Sequence, residues 1–519
     1  MPPTSTVSTP LEPPRPRRRD RPLRRLQVVW IALTLAALAL FAADLQVSAP
    51  SPGAVLKALA LGFARPDFLA LENLGQALLL TLTVAFGGVA IGAAAGFAMA
   101  LAWNWRAVRV LSLCLRSVHE LIWALFIITV TGPVAIAAVM ALALSYSGIF
   151  AKVFGEILDE ADPAPRDALP GRGLTLSGLI YAKLVPSLPA FWSYFCYRIE
   201  CGIRSSAVLG FVGLPTLGFE LDTLFKQGRY DGAAAVLLLT YALIISQSLW
   251  LRRRLVPLYV LGALAYLAAL SPGQVSGFGL WQLLAVDMVP APLRGADLTA
   301  AGTWGAFGDW LWRLVSQQVL PGAWATVLVS YLAFVLCGIV ALVAFPLIVT
   351  ALAGRIGAGL GHVALVIMRS TPEYMLVFVG VQVLGPSMLP AVLALGLHNG
   401  AIIAHLVGRQ AEGMVPTLRP DRPGGAGLYA YELVPRVSSG LIAYLFYRGE
   451  IILRESMILG ILGIATLGFY VDSAIATLRF DRAALLVVAM ILLTALADWA
   501  SRALRRRLKV GALSTRPFC

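Results

Sequence analysis

This sequence predicts an all-α polytopic membrane protein of about twelve transmembrane helices, arranged as two parallel six-helix repeats. Three observations carry that prediction: an apolar composition, the placement of the positive charge, and an internal repeat. Of 519 residues, 59% are hydrophobic and 13% charged, with a mean hydropathy of +0.81. A soluble domain is about half apolar and about a quarter charged, so too few polar residues are present to coat a water-facing surface. That excludes a soluble enzyme and a disordered or fibrous chain. The net charge of +14 sits wholly in three short patches: residues 1–26, Arg252–Arg254 and residues 501–519. Each flanks an apolar segment, as expected for cytoplasmic helix ends under the positive-inside rule, so nucleic acid is not the partner this charge implies.

Residues 1–26 are Pro/Arg-rich and read as a disordered basic cytoplasmic tail. The first apolar run spans about 27–45 and reads as an uncleaved helix. Val47-Ser48-Ala49 resembles a signal-peptide cleavage site, but the run is long for a signal core and Pro50 follows at once. Further runs of bilayer-spanning or nearly spanning length lie near 76–102, 118–131, 133–149, 185–203 and 233–250. After Arg252–Arg254 they restart near 256–270, 323–352, 363–382, 386–405, 434–449 and 483–499. Six plus six places both tails, and the polar loops 154–177 and 406–432, in the cytoplasm, with 271–320 outside. The predicted division is a first unit over 27–251, a second over 252–500, and a basic cytoplasmic tail over 501–519.

The restart is a true repeat. Arg204–Asp231 and Arg454–Asp481 align without a gap, and twelve of 28 positions are identical. The matches include Gly210/Gly460, Gly213/Gly463, Gly218/Gly468 and Asp222/Asp472. Upstream, Tyr197-Arg198 matches Tyr447-Arg448, and Arg116-Ser117 with Glu120 matches Arg369-Ser370 with Glu373. Chance likeness between apolar helices would match Leu and Ala, not Arg, Asp and Gly in one order. Six helices per half make the repeats parallel, with the substrate path between them.

Between the fourth and fifth runs, Asp167-Ala168-Leu169, then Gly173, then Lys183-Leu184-Val185-Pro186 resembles the EAA loop of binding-protein-dependent ABC importer permeases. The spacing is kept; Asp stands for Glu, and Pro170 and Lys183 depart from the pattern. The second half keeps Leu433-Val434-Pro435 but has lost the acid-Ala pair, and its Pro- and Gly-rich stretch disfavours a helix. Arg116-Ser117-Val118-His119-Glu120-Leu121, Tyr197-Arg198-Ile199-Glu200 and the glycine-rich Val208–Leu221 segment look like the permease of phosphonate importers. The likeness covers most of both halves and implies a type I importer fold, here two permease units fused.

By that resemblance, the Asp167–Gly173 loop is the coupling element that docks on a separate ATP-binding subunit dimer. The same likeness implies that the ATPase holds ATP and Mg, and no P-loop occurs here. It further implies an extracytoplasmic substrate-binding protein, a phosphonate-like anion as cargo, and a bacterial cytoplasmic membrane. Gly210, Gly213, Gly218, Gly460, Gly463 and Gly468 would form an outward gate, although small-residue helix packing explains them almost as well.

Arg198, Glu200, Arg204 and their mates Arg448, Glu450, Arg454 lie deep in apolar helices, where charge costs on the order of 2.5–3.5 kcal/mol on insertion scales. Glu200 and Arg204, four apart, can pair. Glu120 and Glu373 are candidate counter-ions for Arg198 and Arg448. Two readings stand: helix–helix glue, or a pathway in which guanidinium meets an oxyanion bidentately. The five cysteines and four histidines form no ligand or catalytic set, so an enzyme finds no support. The rival to an ABC permease is a proton-coupled secondary transporter of a small anion, which shares the twelve-helix count.

Overall fold

The computed structural model describes residues 22–69, 73–161, 180–270, 277–419 and 421–508. All regular structure among them is helical. In the first half, α1 (Pro22–Ala42) and the short α2 (Pro52–Ala64) precede α3 (Leu74–Leu101). A broken pair follows, α4 (Arg106–Ser117) and α5 (Glu120–Thr131), bent by 89°, then α6 (Ala135–Glu160). A π turn at Ile180–Leu184 leads into α7 (Val185–Val208), followed by α8 (Leu217–Lys226) and α9 (Tyr230–Trp250).

The second half repeats the order. It comprises α10 (Val256–Ala269), then α11 (Ala301–Leu314) running on into α12 (Leu320–Ala344), then α13 (Thr350–Ser370). After these come α14 (Glu373–Leu384), α15 (Met388–Met414), α16 (Val434–Ile458), α17 (Leu467–Ala476) and α18 (Phe480–Leu508). Among the described residues, seven helices are long and apolar enough to cross a membrane, or ten with each bent pair counted as one span. The apolar stretches Val29–Ala42 in α1 and Val256–Ala269 in α10 supply the first helix of each half.

Each half's first helix packs on the other half: α1 on α12, and α10 on α3. Tyr331 Oη donates to the Ala32 carbonyl at 2.8 Å, and the Tyr259 ring lies 5.4 Å from that of Phe86. The link after α1 is also docked there, with the Ser48 amide on the Leu384 carbonyl at 2.9 Å. The opening helix of each half is therefore seated on the other half.

The structure corrects three sequence expectations. Helix α1 starts at Pro22, inside the stretch assigned to a disordered tail, and α18 runs to Leu508, into the other tail. Proline suits the first helical position and arginine is a good helix former, so both helices outrun the apolar stretch. The apolar run 363–382 is two helices, because Pro372 removes an amide and bends the chain away from α13. The span predicted from about 323 begins far earlier: residues 301–348 form one near-continuous helix of 48 residues. At about 1.5 Å per residue that outreaches a hydrocarbon core of about 30 Å, and Trp304, Trp312 and Trp324 stand exposed along it.

Candidate functional site

The two broken pairs, α4–α5 and α13–α14, end their first helices with unpaired carbonyls at the centre of the bundle, where helix C-termini attract cations. Arginines from the opposite half fill that role. Arg454 on α16 donates to the Arg116 carbonyl at 2.9 Å, and its mate Arg204 on α7 donates to the Arg369 carbonyl at 3.4 Å. The same arrangement thus occurs twice, once from each half. It also corrects an expectation: no ion pair joins Glu200 to Arg204 among the described residues, since Arg204 reaches across to the other half while Glu200 lies off the cavity wall.

Arg116 binds carboxylates of the second half on both sides, Glu450 at 3.0 Å and Asp498 at 3.5 Å. Asp498 also takes Arg502 at 2.6 Å. Among the described residues the matching Arg369 makes no such pair; its guanidinium meets His405 Nδ1 at 3.5 Å. Glu120 and Glu373 are not the partners of Arg198 and Arg448. Each opens the first turn of its helix, where the N-terminal dipole favours a carboxylate, and each contacts a histidine: Glu120 with His119, and Glu373 with His398, both at 3.5 Å.

Arg198 lies midway along α7 with three tyrosine rings around it. Its guanidinium carbon is 5.5, 5.3 and 5.8 Å from the ring centres of Tyr146, Tyr194 and Tyr197. Its Nε donates to Tyr194 Oη at 2.8 Å. Arg448 is held differently: it donates to Asn399 Oδ1 at 3.4 Å, and Asn399 donates to Glu455 Oε2 at 3.2 Å. Arg198, its three tyrosines, Arg448 and Glu455 line one cavity of about 270 Å³ between the halves, walled by α4–α7 and α14–α16. Six cations (Arg116, Lys152, Arg198, Arg204, Arg448 and Arg454) face four carboxylates (Glu120, Glu373, Glu450 and Glu455). Seven of the eight charged positions singled out by sequence meet here; Glu200 does not.

The six glycines build paired hairpins instead of lining the cavity. Gly213 and Gly463 hold left-handed backbone at φ +86° and +87° between α7 and α8, and between α16 and α17. A Cβ on Gly210 or Gly460 would collide with the backbone amide of Phe219 or Phe469, and one on Gly218 or Gly468 with the carbonyl of Ala207 or Met457. Thr81 Oγ1 accepts from the Leu217 amide at 3.0 Å, and Thr326 Oγ1 from Leu467 at 3.1 Å, tying each hairpin to α3 or α12. Asp167, Ala168, Leu169 and Gly173 lie outside the described residues. Pro186 and Pro435 sit in the first turns of α7 and α16, each just after a π turn.

Sequence reading missed Tyr146, Tyr194, Asn399, Glu455 and Asp498. A usable signal existed for some of them. Asn399, Glu455 and Asp498 are polar residues inside apolar helices, and Tyr194 precedes Arg198 by four residues on one helix face.

The chain is 27% identical over 481 residues to the phosphate-import permease protein PhnE of Mycolicibacterium smegmatis, covering 86% of each protein. It is 33% identical over 189 residues to the phosphite transport system permease protein PtxC of Stutzerimonas stutzeri, 34% of this chain and 69% of the relative. That relative is thus about 270 residues long, roughly half this chain. A putative cryptic phosphonate transport system permease protein, PhnE2 of Escherichia coli, is 29% identical over 101 residues, 83% of its length. No protein-family model matches the chain. No solved structure matches it either. The chain belongs to the import permeases for phosphate, phosphonate and phosphite, multi-pass transport subunits of the ABC type.

Proposed function

We propose that this chain is the complete membrane-spanning part of an ABC importer, two permease units fused into one, that carries a phosphonate-like oxyanion inward through the cavity between its halves. The observation that carries the reading is the cavity's charge: six cations against four carboxylates at the bundle centre. Burying that charge is costly, and a small anion offsets what no carboxylate meets, at Arg198 above all, since Arg116 and Lys152 are paired with Glu450, Asp498 and Glu156. The cavity volume of about 270 Å³ falls just below the range of roughly 300–1,000 Å³ that suits drug-sized ligands, which favours a small ion. Relatives named for phosphate, phosphite and phosphonate transport support the same cargo class.

In this reading a separate ATPase dimer binds ATP and Mg and docks on the cytoplasmic loops, the first through Asp167–Gly173. An extracytoplasmic binding protein delivers the anion. The chain sits in the cytoplasmic membrane with both termini inside, as the basic ends of the sequence favour. The test is uptake into proteoliposomes holding the chain, its ATPase and its binding protein. ATP-dependent accumulation of labelled phosphate, phosphite or methylphosphonate is expected. Accumulation driven by a proton gradient without ATP would overturn the reading in favour of a secondary transporter.

A further inference from the structure

The repeat places matching residues on either side of the cavity, yet the two sides differ in chemistry. Tyr146 and Ser205 in the first half stand where the second half has Asn399 and Glu455. In the first half, Tyr146 Oη and Ser205 Oγ lie 3.4 Å apart, a neutral pair. In the second half the matching pair is Asn399 and Glu455, which wires Arg448 through an amide to a buried carboxylate. No carboxylate lies within 4.0 Å of Arg198 among the described residues, and the protein engages only its Nε by hydrogen bond. A guanidinium has five N–H donors in one plane. Three aromatic rings hold that plane by cation–π contact, which leaves its charge unneutralised and its outer N–H edge free.

Arg116 is committed to Glu450 and Asp498, while Arg204 and Arg454 are committed to helix-end carbonyls. Arg198 is therefore the cavity cation whose partner among the described residues is neither a carboxylate nor a peptide or side-chain carbonyl. We infer that the transport seat is one-sided. The first half holds the small tetrahedral oxyanion, through the bidentate edge of Arg198 and the hydroxyls of its tyrosine cage. In the second half Arg448 serves to hold α15 and α16 together. The inference rests on the proposed reading of the cavity as the anion's path.

The test uses the whole importer in proteoliposomes, with labelled inorganic phosphate and methylphosphonate as probes. Lysine keeps the charge but cannot present a planar fork. A hydrogen bond to a charged group contributes about 1.5–3 kcal/mol, so Arg198→Lys should raise the KM for uptake roughly tenfold or more. Arg448→Lys should change it by less than about threefold, since one donor to Asn399 is all that lysine must replace. Ser205→Glu places beside the Arg198 cage the carboxylate that the second half already carries. It should lower uptake comparably, and it carries the test if Arg198→Lys fails to assemble. Complex yield and ATPase activity without substrate report folding for each variant. Equal losses from Arg198→Lys and Arg448→Lys would overturn the one-sided seat and leave the cavity as the path. Unchanged uptake in Arg198→Lys, Arg448→Lys and Ser205→Glu together would overturn the path itself.

Discussion

Glu200 and Glu450 occupy the same place in the two repeats, yet the structure uses them differently. Glu450 binds Arg116 across the interface at 3.0 Å, whereas no ion pair joins Glu200 to Arg204 or Arg369 among the described residues. Removing Glu450 leaves Arg116 short of one charged partner between the halves. Glu450→Ala should therefore lower stability by about 1.5–3 kcal/mol, the worth of a hydrogen bond to a charged group, while Glu200→Ala should cost clearly less. Thermal unfolding of the detergent-purified chain measures both, and equal shifts would show that the cross-half pair contributes nothing special. At this scale the sequence singled out the intramembrane charges but not their partners. Arg198 and Arg204 stand out in any apolar helix because charge is expensive there. That Arg204 reaches a peptide carbonyl of the other half, and that Arg198 sits among tyrosines, depends on packing between elements distant in the chain. Tyrosine in an apolar run reads as core, so the cage around Arg198 carried little sequence signal.

At the scale of elements, the recurring glycines were legible in the sequence, but the hairpins they build between α7 and α8 and between α16 and α17 were not, since the spacing pointed to a gate or to helix packing. The glycines recur at identical spacing because each fold leaves no space for a side chain. Gly210 and Gly460 meet the backbone of the following helix, and Gly213 and Gly463 take a left-handed turn. A backbone amide cannot yield as a side-chain tip can. Gly210→Ala should thus cost about 1–3 kcal/mol or more from overpacking, and Gly213→Ala about 1–2 kcal/mol from the left-handed conformation. The same thermal measurement on each variant checks this order, and wild-type stability in Gly210→Ala would contradict the close approach. The break at Pro372 was harder to read, because the apolar run continues through it and hydropathy alone does not register a bend. Its partner break, between α4 and α5, falls beside polar residues at the edge of the apolar run read from about 118, and the helix before it, Arg106–Ser117, was not read.

For the whole molecule, the repeat made the doubled order of helices readable in the sequence, because it preserved Arg, Asp and Gly in order. The exchange of opening helices was not readable. Residues 27–45 and 256–270 are apolar throughout, and such helices carry no address for the half they pack on. The exchange gives each half a helix seated on the other, with α1 on α12 and α10 on α3. Residues of both halves of the chain line the cavity. The central claim is that one chain supplies both permease units, and native mass spectrometry of the purified, detergent-solubilised importer tests it most directly. One copy of this 55.3 kDa chain bound to two ATPase subunits is the predicted stoichiometry. Two copies of the chain with two ATPase subunits would contradict it.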